Sequence, residues 1–273
     1  MNKKIVFRWV KLFLLVYCVA GIAWFYGQDW LVLHPVKADK ATPYVFSQPS
    51  TELNLTYDTG TNLNIVEFRA TDRPADSAAK GVILYFHGNG YNIGHYGQHV
   101  ADITAKGYEV WMLDYPGFGK STGGRSEKQL YAYALVFYKL ARSRWKPSQI
   151  ILYGRSFGTG IAAQLASVRD CRRLILESPY YSMTSVFRRY LFLYPVGMML
   201  HYHLPTNEYL PAVTAPITIF HGDADGTIPY SNSERLKPLL KPGDEYVTIH
   251  GAGHNDLRDF PAFTEKLDSV IRL

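Results

Sequence analysis

From position 81 onward the chain alternates short apolar runs with longer stretches whose apolar residues recur every three or four positions. Runs of four to eight apolar residues bounded by turn formers read as buried strands, and the periodic stretches read as helices. This spacing predicts strands over 81–86, 108–114, 149–153, 173–176, 217–220 and 246–249. It predicts helices over 94–106, 127–144, 159–168, 231–240 and 256–271. Two earlier strands, 53–57 and 63–68, flank the turn Thr59-Gly60-Thr61, and a polar loop follows over 71–80. Strands that alternate with helices predict an α/β fold, with a mostly parallel central sheet and helices on both faces. Such sheets bind ligands beyond the C-terminal ends of their strands.

Two segments depart from this rhythm. Residues 183–204 form an aromatic- and methionine-rich insertion, including Phe187, Tyr190, Phe192, Tyr194, Met198, Met199 and Tyr202. It reads as a small lid bounding an apolar acyl pocket, or as ordinary core packed on the sheet. Held near a bilayer, it would also touch lipid. At the other end, Leu12 to Tyr26 is uninterrupted apolar sequence, extending to Ile5 if Arg8 and Lys11 snorkel toward headgroups. Trp24, Phe25, Tyr26 and Trp30 then fall where an aromatic belt sits. Residues 1–30 are therefore expected to be a membrane anchor, 31–50 a connector broken by Pro35, Pro43 and Pro49, and 51–273 one domain. A secretory signal is the alternative, since Cys18-Val19-Ala20 and Gly21-Ile22-Ala23 are small-residue cleavage candidates.

The net charge of +6 does not point to nucleic acid. Lys3, Lys4, Arg8 and Lys11 lie in the first eleven residues, and removing these four leaves +2 for the rest. That asymmetry places the N-terminus in the cytoplasm and the domain across the membrane; after signal cleavage the domain would instead be secreted. The 273 residues, 47% hydrophobic, suffice for one large core. The cysteines, Cys18 and Cys171, give no disulfide framework. There is no H-E-x-x-H and no paired C-x-x-C, so neither a metal nor another cofactor is expected. Gly119-Lys120-Ser121 lacks the earlier glycine of a phosphate loop, and Gly88-Asn89-Gly90 lacks the third glycine of a dinucleotide fingerprint.

The chemistry centres on Gly154-Arg155-Ser156-Phe157-Gly158, a G-x-S-x-G sequence between a strand and a helix. That context lifts a serine hydroxyl to a strand end on a sharp turn, with glycines leaving room for it. A serine needs a base, and the base an acid to fix its tautomer, in the chain order Ser, acid, His. His254, in a loop beyond the last strand, is preferred as base over His201, His203, His221 and His250. Asp225 has more reach than Asp223, which is expected to cap the turn, while Asp256 is expected to cap the last helix. The oxyanion donors are expected to be the backbone N–H groups of Phe157 and of Asn89, whose flanking glycines let the chain turn inward. His87 reads as structural.

Together these stretches resemble the α/β-hydrolase superfamily, in its small-lid branch of Bem46-like or alpha/beta-hydrolase-domain proteins. The matching blocks are His87-Gly88-Asn89-Gly90 with Asn92-Ile93-Gly94, Asp114-Tyr115-Pro116-Gly117-Phe118-Gly119-Lys120-Ser121, Gly154 to Gly160, and Glu177-Ser178-Pro179. His221-Gly222-Asp223-Ala224-Asp225 with Ile228-Pro229, and Gly253-His254, complete them in order over residues 50–270. The resemblance implies an α/β-hydrolase fold with Ser156 as nucleophile, Asp225 as acid and His254 as base. Its H-G-x-x-D-x-x-I-P pattern implies Asp225 over Asp223, and members often carry one N-terminal membrane segment.

The function expected is a membrane-anchored serine hydrolase acting on an acyl ester or thioester, small molecule or lipid. A serine aminopeptidase would need an acid for the substrate amine, whereas the insertion carries Arg188 and Arg189. A lipid- or partner-binding protein without turnover is the alternative from another class.

Overall fold

Every apolar run from 81 on that reads as a strand enters one sheet, whose two faces are both covered. The computed structural model describes residues 3–71 and 78–272. Its strands are β1 (Ser50–Thr56), β2 (Asn62–Phe68), β3 (Gly81–Phe86), β4 (Tyr108–Leu113), β5 (Ile150–Arg155), β6 (Arg173–Glu177), β7 (Ile217–Gly222) and β8 (Glu245–Ile249). The longer helices are α1 (Lys3–Val32), α2 (Glu127–Arg142), α3 (Gly158–Val168) and α4 (Pro261–Arg272). The spatial order is β8-β7-β6-β5-β3-β4-β2-β1. β1 and β2 are antiparallel to their neighbours, and all other pairs are parallel.

Along β3, Val82, Leu84 and Phe86 face a core shared with α2 and α3, while Ile83 and Tyr85 face a second core shared with α4. Burial on both sides is why this strand reads as unbroken apolar sequence. The chain leaves β3 for β4 on one side and returns to β5 on the other. The ends of β3 and β5 therefore flank the point where strand order reverses, which opens a crevice for ligands.

Three predicted helices differ in detail. The stretch 94–106 is broken into Ile93–Tyr96, a 3-10 turn Gly97–His99, and Ala101–Thr104. A Cβ at Gly97 would lie 2.5 Å from Phe46 and 2.6 Å from Phe68, so glycine admits these two rings against the backbone where the helix gives way to the 3-10 turn. The stretch 231–240 is a short helix, Tyr230–Ser233, followed by 3-10 turns with Pro238 inside; proline has no N–H to continue the ladder. The last helix begins at Pro261, not 256. Asp256 accepts the Gly253 N–H at 2.6 Å instead of capping that helix. Of the polar loop expected over 71–80, residues 72–77 lie outside the described residues.

The N-terminal helix continues through Val32. Its buried residues, Gly21, Trp24, Gln28 and Val32, form a single stripe, while Phe7, Trp9, Phe13 and Leu15 are exposed. The stripe meets the insertion. Gln28 Nε2 donates to the Met199 carbonyl at 2.9 Å, and Gln28 Oε1 accepts the His201 N–H at 2.6 Å. The insertion consists of short helices Met183–Arg188 and Val196–Met199. It is held at its exit by the Glu127 carboxylate, which accepts the N–H groups of His203 and Leu204.

Gln28→Leu leaves a carbonyl and an N–H without partners, at about 1–3 kcal/mol each. Amide exchange at His201 should then be ~5- to 150-fold faster, as read by hydrogen-exchange mass spectrometry. Unchanged exchange would show that Gln28 does not hold the insertion.

Candidate active site

At the end of β5 the backbone turns sharply, and Ser156 takes φ +49°. A side chain in the left-handed region costs roughly 1–2 kcal/mol, so the surroundings must hold it there. The Ser156 N–H donates to the Glu177 carbonyl at 2.8 Å, and the Ser156 carbonyl accepts the Thr159 N–H at 2.9 Å. The flanking glycines supply clearance. A Cβ at Gly154 would lie 2.6 Å from the Gly158 carbonyl oxygen, and one at Gly158 would lie 2.1 Å from the Phe86 oxygen. α3 can therefore start directly over the strand ends.

The half-buried hydroxyl meets His254. Ser156 Oγ lies 2.8 Å from His254 Nε2, and His254 Nδ1 lies 2.7 Å from Asp225 Oδ2. A carboxylate only accepts, so the Nδ1 atom carries the proton and Nε2 is left free to accept the serine proton. Asp225 Oδ1 accepts the N–H groups of Thr227 and Ile228, each at 2.8 Å. Its side chain is fully buried, while the His254 ring keeps a tenth of its surface exposed. The three residues singled out in sequence are thus brought into one hydrogen-bonded row.

The other candidates have different partners. Asp223 accepts from His250 Nδ1 at 2.8 Å and from the Gly251 N–H at 2.7 Å, so it holds the turn before His254. His201 and His203 belong to the insertion. His221 is buried behind Asp225, 3.3 Å from its Oδ2, and its Nε2–H donates to the Ile228 carbonyl at 2.9 Å. Burial pushes the His221 pKa below its ordinary 6.5 despite the nearby Asp225 carboxylate. His221 therefore stays neutral and leaves the negative charge of Asp225 for His254. His87 is fully buried among Tyr96, Tyr115 and Phe118.

Sequence reasoning missed a charged cluster beneath the turn. Glu177, 1% exposed, lies 3.1 Å from Arg155 Nε and 3.7 Å from Arg258 Nη2, and accepts the Tyr153 hydroxyl. Burial opposes its charge, but Arg155 and Arg258 more than compensate and hold its pKa below the usual value. Arg155 also donates to Asn255 Oδ1 at 3.3 Å, joining the serine turn to the loop of His254. An arginine beside the serine and a glutamate at a strand end were the only signals in the sequence.

The loop after β3 reaches the same place. A Cβ at Gly88 would lie 3.7 Å from the Ser156 Cβ. Asn89 is fixed from outside: its Nδ2 donates to the Val32 carbonyl at 2.7 Å, and its carbonyl accepts the His34 N–H at 2.8 Å. Phe157 precedes the first turn of α3, where backbone N–H groups lack intrahelical partners. Its ring packs between Tyr115 and Tyr202, and its carbonyl accepts the Tyr180 hydroxyl at 2.9 Å.

The family model described as serine aminopeptidase, S33, matches residues 77–208. Mouse alpha/beta hydrolase domain-containing protein 17C is 29% identical over 199 residues, covering 71% of this chain and 60% of that protein. Alpha/beta hydrolase domain-containing protein aho-3 of Caenorhabditis elegans is 33% identical over 195 residues, 69% of this chain and 57% of that protein. The chain thus spans about 60% of the length of curated relatives it matches. The structure of the Pyrococcus furiosus esterase Pf2001 superposes with a TM-score of 0.65 at 18% identity, covering 88% of this chain and 97% of that one.

Gly158→Ala forces a methyl against backbone, which should destabilise by about 3 kcal/mol or more. At roughly 2–4 °C per kcal/mol, calorimetry should show Tm falling by at least about 6 °C. A change within error would mean that the turn has room to spare. A second expectation concerns acid. The unfolded chain protonates His221 near 6.5, whereas the native state resists. The stability this contributes is complete above that pH and is lost as pH falls below it. Tm measured from about pH 8 down to about pH 5 should therefore fall less steeply in His221→Gln than in the parent; equal slopes would refute the assignment.

Proposed function

Because the chain belongs to the α/β-hydrolase superfamily and carries this row of side chains, we propose that it is a membrane-anchored serine hydrolase of acyl esters or thioesters. The observation that carries the proposal is the unbroken Ser156–His254–Asp225 chain, at 2.8 and 2.7 Å, on a turn that holds the serine at φ +49°. His254 Nε2 takes the hydroxyl proton as Ser156 Oγ attacks the acyl carbon. The resulting imidazolium is stabilised by Asp225, and the oxyanion is received by the N–H groups of Asn89 and Phe157. Collapse expels the alkoxide or thiolate, which takes the proton from His254, and leaves an acyl-Ser156. Water, deprotonated by the same imidazole, then releases the acid and restores the serine.

The anchor rests on α1. Its exposed side chains present far more contiguous apolar surface than a helix in water keeps uncovered. The stripe through Gly21, Trp24 and Gln28 packs on the insertion and includes or follows the candidate cleavage sites, which favours a retained helix over a discarded signal. The basic residues before it favour a cytoplasmic N-terminus, with the catalytic domain on the far side. The peptidase reading draws on the description of the matching family model, and it requires an acidic group for the substrate amine.

A fluorophosphonate probe should label wild type at Ser156 and leave Ser156→Ala unlabelled. Ser156→Ala and His254→Ala should each lower kcat by ~10⁴-fold or more, and the double variant should lose little beyond either. Absence of labelling in folded wild type would sink the mechanism. Turnover of aminoacyl amides but not acyl esters or thioesters would transfer it to the peptidase reading. A mature N-terminal mass lacking the apolar segment would remove the anchor.

A further inference from the structure

The insertion runs alongside α1, and the register of that contact fixes the depth at which the insertion must lie. Tyr17 Oη donates to the Leu193 carbonyl, and Tyr194 Oη donates to the Tyr17 carbonyl, both at 2.8 Å. The two rings stack at 4.5 Å with 5° between their planes. Gly21 lets the Tyr194 ring sit against the helix, since a Cβ there would be 2.8 Å from the ring. Higher on the helix, Gln28 holds Met199 and His201. The far end of the tip, 191–195, therefore points toward the N-terminus of α1, about 16 Å below Gln28 at 1.5 Å per residue.

No charged residue occurs in α1 between Lys11 and Asp29, and Tyr17 lies within that stretch. Whatever touches Tyr17 shares its surroundings. The insertion fits those surroundings: residues 190–200 contain no charged side chain, and Arg188 and Arg189 immediately precede them. Tyr190, Phe192, Leu193 and Met198 are 60%, 74%, 60% and 87% exposed, although Tyr194 in the same segment stacks on Tyr17 of α1. Between helix and tip runs an apolar groove of about 460 Å³, lined in part by Gly21, Ile22, Phe25, Tyr194, Pro195 and Met199. A protein facing water would cover these side chains; one facing hydrocarbon would expose them.

We propose that the tip of the insertion, residues 190–199, is embedded in the lipid leaflet beside α1, with Arg188 and Arg189 at the level of the headgroup phosphates. The occupant of this surface is the bilayer itself. The inference rests on the reading of α1 as a membrane anchor. It adds that the insertion is a second membrane contact, so the loop whose Tyr202 packs on Phe157 is rooted in lipid.

The test uses the full chain with Cys18→Ala and Cys171→Ala, reconstituted into phosphatidylcholine vesicles. Nitroxide labels are placed singly at Phe192→Cys and Met198→Cys on the tip, Val19→Cys on α1, and Val168→Cys at the end of α3. Accessibility is read with oxygen against a water-soluble nickel chelate. Positions 192 and 198 should favour oxygen as position 19 does, and position 168 should favour nickel. If position 19 is in hydrocarbon and either tip position is in water, the embedded tip is overturned while the anchor stands. If position 19 is also in water, the anchor reading falls and the proposal falls with it.

Discussion

The left-handed backbone of Ser156 is the constraint on which the site depends. In a relaxed conformation the chain would continue along β5 and carry the hydroxyl into the sheet. The strain is held from three directions. The Glu177 carbonyl accepts the serine N–H, Gly154 and Gly158 admit neighbouring backbone where a methyl could not stand, and α3 begins at once above the turn. Glu177 contributes twice, since its carboxylate ties Arg155 from below. A buried carboxylate costs several kcal/mol alone, and two arginines and a tyrosine offset that cost here. One residue thus couples the geometry of the serine to the charge balance beneath it, and through Arg155 and Asn255 to the loop that presents His254.

The same economy links the N-terminal helix to the site. The C-terminal end of α1 is received by Asn89, whose amide takes the Val32 carbonyl that the helix itself cannot satisfy. His34–Pro35 then pairs with Gly90–Tyr91 as a parallel ribbon. The loop proposed to receive the oxyanion is therefore held by the segment that follows the apolar helix. On the other side, the insertion bonded to Gln28 reaches Phe157 through Tyr202. Of the two proposed oxyanion donors, Asn89 thus bonds α1 directly and Phe157 packs on the insertion that α1 holds. Tilting α1 relative to the domain would load both contacts at once.

The sheet was legible because strands buried on both faces must be continuously apolar, and β3 and β5 have no solvent side to imprint an alternation. The convergence of Ser156, Asp225 and His254 in one hydrogen-bonded row was legible because the motif fixes a strand-to-helix turn and the order of the remaining loops limits which side chains can reach it. What could not be read depends on contacts between residues distant in sequence. Gly97 lies against Phe46 and Phe68 where the expected helix gives way to a 3-10 turn, and neither contact is signalled locally. The Arg155–Glu177–Arg258 cluster joins three chain segments whose charges look unremarkable one at a time. The docking of α1 on the insertion was hidden because an apolar stripe reads alike for lipid and for protein; Gln28, a polar residue within that stripe, was the one clue.

The choice between the two aspartates shows how the fold separates similar groups. Both lie in the loop after β7, and both accept a histidine Nδ1 at nearly the same distance. Their difference is solvent. Asp223 pairs with an exposed His250, where water competes and the interaction is weak. Asp225 has its side chain wholly buried, with two backbone N–H groups on one oxygen and His254 on the other. In that environment the carboxylate is held in one direction, and its attraction for the His254 ring is little screened by water. His221 completes the arrangement by remaining neutral: a cation there would draw the carboxylate toward itself and away from His254. The electrostatic asymmetry between positions 223 and 225 thus follows from how far each lies from water, and it makes the second of them suited to orienting a base.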